Sequence, residues 1–307
     1  MSGFHVLKPG AMTTVQDLGR FGYQDIGLTT GGCMDEHAAG WANRLLGNKP
    51  HCALLEISLG NMQLQAEVDT WIAVTGAEQQ FSINDRPQNN WQSHFVKAGD
   101  ILAFSWSSTG VRSYLAVAGG FQLQPQFGSC STVVRESVGG IEGRALQRGD
   151  SLSCSASDED LFSCNRAVPV EFIPDYSESP IVDVVLGYQQ HSFSHKDLQR
   201  FFTSDYQIKP DSDRMGYRLE GEVLTPGVQG IFSEGISFGA IQVPADGLPI
   251  ILLKDRQTLG GYPKLGAVVT TDAFRLSQCR PGQTVSFREV SLEFAQNKVR
   301  AFYQFFS

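Results

Sequence analysis

The chain has 307 residues, 41% of them hydrophobic and 18% charged, with 24 Lys and Arg against 32 Asp and Glu for a formal net charge of −8. That length accommodates two domains, and the acidic balance, with no Lys/Arg run longer than a dipeptide, gives no nucleic-acid footprint. No apolar run approaches the roughly eighteen residues of a membrane span, and the start lacks the basic-then-apolar pattern of a secretion signal. Six cysteines without a CxxC pair suit neither a disulfide scaffold nor a zinc site, so a reduced, cytoplasmic setting is expected.

In chain order, the first chemistry-bearing stretch is Thr13-Thr-Val-Gln-Asp-Leu-Gly-Arg20. Gln16, Asp17 and Arg20 either hold a carboxylate or amide substrate or knit a long loop to the scaffold. Residues 35–46 follow as the clearest helix, with Ala38, Ala39, Trp41, Ala42, Leu45 and Leu46 on one face, Asp35 as cap and Gly47 as stop. Cys33, beside two glycines, lacks a paired histidine and reads as a plain thiol rather than a nucleophile. Glu56 interrupts the apolar strand Leu54-Leu-Glu-Ile57, where a carboxylate is costly unless paired; Arg44 or Arg20 is its expected partner.

Short strands then dominate: residues 70–75 up to Gly76, 112–117, 181–186, 249–253 and 267–271, each β-branched or aromatic and bounded by turn formers. A tight turn feeding a strand recurs at Lys97-Ala-Gly-Asp100, Arg148-Gly-Asp150 and Arg280-Pro-Gly-Gln283. Residues 158–174, acidic and then broken by Pro169 and Pro174, read as a junction, giving halves 1–165 and 166–307. Short helices are expected at 196–202 and 292–296. Strands that rarely alternate with helices favour closed or half-closed barrels over a doubly wound sheet.

The second half gathers the polar loops. Asp211-Ser-Asp-Arg-Met-Gly-Tyr-Arg-Leu-Glu220 offers Arg214 as a bidentate anion holder, or as a cation neutralised by its acidic neighbours. In the stretch from Ser233 to Gly247, Ser233 and Glu234 precede a glycine, and Gln242 sits between Ile241 and Val243, so its amide needs partners. Last comes Asp255-Arg-Gln-Thr-Leu-Gly-Gly-Tyr-Pro-Lys264, directly after the apolar strand. A turn needs Gly260 and Gly261 for their backbone freedom, but it does not need six unlike polar side chains. That excess marks a ligand loop, with Asp255 as acid/base candidate, Lys264 as a fixed positive charge, Tyr262 as donor or stacking surface, and Gln257 as a further polar contact. No metal site stands out.

These blocks carry a family resemblance. Thr14-Val-Gln-Asp-Leu-Gly-Arg20, Gly32-Cys-Met-Asp35 with Ala42-Asn43, Tyr114-Leu-Ala-Val-Ala-Gly-Gly120, Ser212-Asp-Arg-Met-Gly216, Ser233-Glu-Gly235, Ile241-Gln-Val-Pro244 and Asp255-Arg-Gln-Thr-Leu-Gly-Gly-Tyr-Pro263 run in family order over nearly the whole chain. The chain resembles the C subunit of the bacterial ATP-dependent 5-oxoprolinase, formerly described as allophanate hydrolase subunit 2, and the second half of the carboxyltransferase domain of urea carboxylase. Cys33 departs from the family's usual small residue. The resemblance implies a mainly β fold of tandem cyclophilin-like β-barrels, partnership with a B subunit (KipI-like) and an A subunit, and use of ATP and water to open 5-oxo-L-proline to L-glutamate. No covalent cofactor is expected on this chain, and no P-loop shows where ATP sits. Activating a lactam needs a clamp for the substrate carboxylate, an acid/base group and positive charge near phosphoryl oxygens; Arg214, Asp255 and Lys264 are the candidates in that order. Two other readings stay open: a carboxyltransferase subunit acting on carboxybiotin and urea or a related amide, and a non-enzymatic KipA-like regulatory binding protein.

Overall fold

The computed structural model describes residues 3–162, 164–228 and 230–307; Met1 and Ser2 at the start, and Ser163 within the expected junction, lie outside them. The chain divides into two compact units, each discontinuous in sequence: one holds residues 1–21, 31–177 and 306–307, the other 22–30 and 178–305. The main crossing therefore falls at 177/178 rather than at the expected 165/166.

The first unit contains β1 (Gly3–Pro9), β2 (Met12–Gln16), α1 (Glu36–Leu45), β3 (Leu54–Ser58), β4 (Gly60–Ala66), β5 (Thr70–Glu78) and β6 (Phe81–Ile83). It continues with β7 (Arg86–Gln88), β8 (Gln92–Val96), β9 (Ile101–Trp106), β10 (Thr109–Val117) and β11 (Ser151–Ser153). These strands form a six-stranded sheet, β11-β1-β4-β9-β6-β7, and a five-stranded sheet, β2-β3-β10-β5-β8. Phe4, Leu64 and Phe81 from the first pack with Leu55, Ile72 and Leu115 from the second in one core. On its other face the five-stranded sheet sends Leu54, Ala73 and Ala116 against Trp41 and Leu45 of α1. Burial on both faces explains why β3, β5 and β10 read as continuous apolar runs rather than alternating ones.

Local chemistry sets the element ends. The Asp35 carboxylate accepts the His37 and Ala38 N–H groups at 3.1 Å each, capping α1 as expected, and Gly47 closes it with φ +67°. All three repeated turns form: the Lys97 and Gln147 N–H groups donate to Asp100 and Asp150 at 2.8 and 2.7 Å, and the Arg280 N–H donates to Gln283 at 3.1 Å. At Gly76 the strand does not end but continues to Glu78, because a glycine at φ +91° lets the backbone pass an Arg112 carbonyl that a Cβ would approach to 2.4 Å. Asn43, buried in α1, donates to the Cys52 carbonyl at 3.1 Å and accepts from Asn48 at 2.9 Å.

Glu56 has partners that were not expected. Antiparallel pairing of β3 with β10 sets Tyr114 directly opposite it. The Tyr114 hydroxyl donates at 2.9 Å, the Met34 N–H at 2.8 Å, and Arg112 stands 3.6 Å away. Burial, followed by the charges of Glu56 and Asp35, pushes the Tyr114 phenol well above its usual range.

The second unit contains β12 (Ile181–Leu186), α2 (His195–Thr203), β13 (Tyr206–Ile208), β14 (Gly216–Glu220), β15 (Glu234–Gly235) and β16 (Ala240–Gln242). Then follow β17 (Ile250–Leu252), β18 (Leu259–Gly260), β19 (Lys264–Val268), α3 (Thr270–Leu276), β20 (Thr284–Glu289) and α4 (Leu292–Phe306). Seven strands close a barrel in the order β12-β19-β16-β17-β14-β13-β20, with the β12–β20 seam parallel. Phe201 of α2 stacks on Phe287 of β20 with centroids 4.4 Å apart, inside a core that includes Tyr206. The mainly β class and the barrel of this half match expectation.

Two helices differ from it. The strand expected at 267–271 ends at Val268, and α3 begins at Thr270. The Asp183 N–H donates to the Asp272 carboxylate at 2.9 Å, fixing the first turn, while Phe274 and Leu276 bury the helical face. The last helix has 15 residues rather than five. Lys298 on it donates to Asp183 at 2.9 Å and Asp272 at 2.6 Å, which ties its middle to the barrel.

Candidate functional site

The expected ligand loop leaves β17 and is held by backbone bonds on three sides. The Leu253 and Asp255 N–H groups donate to the Met215 and Arg214 carbonyls at 2.8 and 2.9 Å, extending the β14–β17 pairing. Further on, β18 pairs with β15, setting Gly260 opposite Glu234, and the Ile231 N–H reaches the Gly261 carbonyl at 2.8 Å. Three stretches singled out from the sequence, around Arg214, Ser233 and Asp255, thus meet in one wall of the second unit.

The two best-placed charges within it engage each other. Arg214 donates from Nε and Nη2 to the two carboxylate oxygens of Asp255 at 2.8 and 2.9 Å, and both side chains are buried. Arg214 was expected to clamp a substrate carboxylate and Asp255 to move a proton. Arg214 and Asp255 are instead paired with each other in a buried bidentate ion pair.

Lys264 is tied as well. Its ammonium pairs with Glu234 and donates to the Gly235 carbonyl at 3.1 Å, so it enters the site as half of an ion pair rather than as a lone positive charge. Glu234 also accepts from Tyr188 and, at 2.7 Å, from Gln189. Lys264 and Tyr188 hold the Glu234 carboxyl below the usual carboxylate range, and Glu234 in turn pushes the Tyr188 phenol up. This cluster edges a groove of about 700 Å³ lined by Tyr188, Gln189, Phe238, Lys264, Val268 and Arg300.

A second, smaller cavity of about 200 Å³ is lined by Gln242, Arg256, Gln257, Tyr262, Asp213 and Met215 among others. Gln242 is 5% exposed, and its Nε2 has no acceptor. Arg256 is fixed by Nε and Nη1 donating to the Ile236 and Leu253 carbonyls at 3.0 and 3.2 Å, which leaves Nη2 without a protein acceptor among the described residues. Burial, offset in part by Asp255, pushes the Arg256 guanidinium down to about 10. Tyr262 is 46% exposed at the rim, and Gln257 is exposed beside it. Asp211 and Asp213 also face this cavity, but Asp211 pairs with Arg218 at 3.3 Å and Asp213 accepts the Met215 and Gly216 N–H groups at 2.8 and 3.3 Å.

Gly260 and Gly261 serve this cavity for a reason other than the expected one. Neither has a positive φ. A Cβ on Gly260 would lie 2.5 Å from Ile236 Cδ1 and 2.7 Å from Gln242 Nε2, and one on Gly261 3.2 Å from the Ile231 carbonyl oxygen. They are glycines so that the loop can press against Gln242 and its neighbours. Ser233 is exposed just before β15, its Oγ 3.5 Å from that same Gly261 position.

Gln16, Asp17 and Arg20 lie in the first unit and act as framework there. Asp17 accepts from Ser129 Oγ at 2.6 Å, Ser131 Oγ at 2.5 Å, the Cys130 N–H at 2.6 Å and the Gly19 N–H at 2.8 Å. Arg20 donates to the Ser131 carbonyl at 2.5 Å, and Gln16 donates to Thr14 Oγ1 and the Thr132 carbonyl at 2.9 and 3.0 Å. Arg256 lines the smaller cavity where Arg214 was the arginine expected at the site, and nothing in the sequence separated the two before β14 paired with β17.

A mainly β chain whose second unit presents such a cavity on a barrel wall belongs to the carboxyltransferase domain family, subdomain A and B, whose model matches residues 26–289. Within that family it is similar to the C subunit of 5-oxoprolinase from Escherichia coli strain K12, 36% identical over 290 residues that cover 94% of this chain and 91% of that protein. The corresponding 5-oxoprolinase C subunit of Haemophilus influenzae is 38% identical over 292 residues, covering 94% and 91% respectively. Among solved structures it is similar to the K. lactis urea amidolyase, with a TM-score of 0.92 and 29% identity across 100% of this chain; the chain spans 20% of that protein's length.

Proposed function

We propose that this chain is the substrate-holding subunit of an ATP-dependent 5-oxoprolinase, working with a B and an A subunit to hydrolyse 5-oxo-L-proline to L-glutamate. The observation that carries this reading is the cavity lined by Gln242, Arg256 and Tyr262, in a chain that matches 5-oxoprolinase C subunits over 94% of its length. Its volume of about 200 Å³ is below the ~300–1,000 Å³ of pockets for drug-sized ligands, so it suits a small ring acid and does not fit a nucleotide. ATP, which activates the lactam, is accordingly assigned to a site other than this cavity. This chain's contribution is to bind and orient the ring, a role that converts binding energy into positioning.

The test is ATP-dependent glutamate release from 5-oxo-L-proline by the three mixed subunits, with this chain present and then omitted. Release that requires this chain supports the reading, and release independent of it sinks the reading. A second reading, carboxyl transfer from carboxybiotin to urea or a related amide, is favoured by the family's description and by the likeness to urea amidolyase. Saturable biotin binding together with amide carboxylation, and no glutamate release, would select it.

A further inference from the structure

We propose that the open edge of the first unit's two-sheet sandwich is a second binding site, built to take a free α-amino acid as its zwitterion. The inference goes beyond the substrate-holding reading and does not depend on it.

The site lies where the two sheets end. β7 is the last strand of the six-stranded sheet, and β8 is the last strand of the five-stranded one. Residues directly opposite each other in an antiparallel pair share a face. Ile72, opposite His94, belongs to the core between the sheets, as does Val96 two residues on, so His94 points into the same space. On the other sheet, Phe81 and Ile83 pack in that core and stand opposite Gln88 and Arg86. Inward positions that carry apolar side chains in the middle of the sandwich thus carry Arg86, Gln88 and His94 at its edge. A cavity of about 430 Å³ is lined by these three together with Asn84, Asp100 and Asn165, a size within the ~300–1,000 Å³ of ligand pockets. Edge strands use inward charges to discourage pairing with other chains, which accounts for the exposed Arg86. It does not account for a histidine that is 4% exposed and lines a cavity.

Three groups on the cavity wall keep bonding capacity. His94 Nε2 lies 2.8 Å from the Asn89 carbonyl, which can only accept, so Nε2 carries the hydrogen and Nδ1 is a bare acceptor. Burial, offset in part by that hydrogen bond, holds the ring below its usual range and keeps the acceptor bare at neutral pH. Asp100 takes Asn84 Nδ2 on one oxygen at 2.7 Å and the Lys97 N–H on the other at 2.8 Å, and each oxygen can accept again. Arg86 forms no ion pair among the described residues, with Asp100 or any other acid. A cation and a carboxylate that share a cavity without pairing, beside a neutral acceptor, suit a ligand bearing both charges and an N–H donor. An α-amino acid meets all three, its carboxylate on Arg86 and its ammonium on His94 Nδ1 and Asp100. A dicarboxylate sets a negative charge against Asp100, and a plain amine leaves Arg86 unmet.

The experiment is calorimetric titration of the full-length chain with L-glutamate, with glutarate, which lacks the ammonium, and with propylamine, which lacks the carboxylates. Arg86→Gln and His94→Phe are measured beside the parent protein; the second keeps an aromatic ring against Phe81 and removes Nδ1. The parent is expected to bind L-glutamate and to bind each analogue at least about tenfold more weakly, and each variant should lose about tenfold or more at a melting temperature close to the parent's. The Nδ1 resonance of His94 in nitrogen NMR should move as L-glutamate saturates the parent. No saturable L-glutamate binding, glutarate binding as tightly, an unmoved Nδ1 resonance, or parent affinity retained in Arg86→Gln overturns the proposal. Arg86 is exposed on its strand, so that variant decides even if His94→Phe fails to fold. If the three-subunit assay shows no glutamate release but L-glutamate binding is lost in Arg86→Gln, the oxoprolinase reading falls and this site stands. If release requires this chain and L-glutamate binding survives Arg86→Gln, the reverse holds.

Discussion

Arg214 and Asp255, 41 residues apart, meet through two parallel hydrogen bonds of 2.8 and 2.9 Å inside the wall of the barrel. Removing one partner of such a buried pair leaves the other charge without compensation, a cost of about 3–5 kcal/mol, whereas replacing both with apolar groups is often nearly neutral. Asp255→Ala is therefore expected to lower the urea midpoint of this chain strongly, and Arg214→Met with Asp255→Leu to recover most of the loss. An Asp255→Ala protein with an unaltered midpoint but no activity in the assembled enzyme would return Asp255 to a chemical role.

Gly260→Ala tests the close approach behind Gln242. The new methyl meets Ile236 Cδ1 at 2.5 Å and Gln242 Nε2 at 2.7 Å, and overpacking of that kind costs about 1–3 kcal/mol. A lowered melting temperature together with weaker lactam binding is expected, because Gln242 is one of the residues that line the cavity. Full affinity in the variant would mean that the loop can yield without disturbing Gln242.

The Glu234 carboxyl is held low by Lys264 first and then by Tyr188. A group whose folded value is depressed contributes its stabilisation in full above the unfolded value and loses it as pH falls through the folded one. The Tyr188–Glu234–Lys264 cluster should thus be intact through neutral pH and come apart only below the usual carboxylate range. Carbon-detected NMR titration of Glu234 reads this directly: its midpoint should lie under that of an ordinary glutamate and rise in Lys264→Met. An ordinary midpoint in the parent protein would refute the ion pair.

Asp17 receives four donors, two of them backbone N–H groups. Asp17→Ala should destabilise the protein by at least about 2 kcal/mol in chemical unfolding, the cost of buried donors left unsatisfied. The KM of the remaining folded enzyme should not change. A raised KM at unaltered stability would make Asp17 a substrate contact.

What the sequence disclosed was local. Asp35 as a cap, the three turn-and-strand devices and the apolar runs all act through neighbours a few residues away, and the cap and all three turns formed where expected. Partnerships set by strand pairing stayed hidden. Nothing near Glu56 announces Tyr114, which reaches it only because β10 lies beside β3. Likewise, Arg214 and Asp255 look like two separate site residues until β14 pairs with β17. The glycines of the ligand loop were recognised as necessary but for the wrong reason, since close packing leaves no trace in sequence that distinguishes it from backbone freedom. Of the candidate site, the loop was legible and the division of labour within it was not.

The discontinuity of the two units bears on how the chain can be dissected. Residues 22–30, drawn from early in the sequence, belong with the barrel, where the Thr29 hydroxyl donates to the Arg256 carbonyl at 3.1 Å. Phe306, at the far end, belongs with the first unit and packs on Trp41 and His37 with centroids 5.8 and 6.1 Å away. A protease cut or gene split at 177/178 would therefore yield two incomplete pieces, each missing a strap encoded in the other. Complementation between such fragments would have to return both straps at once.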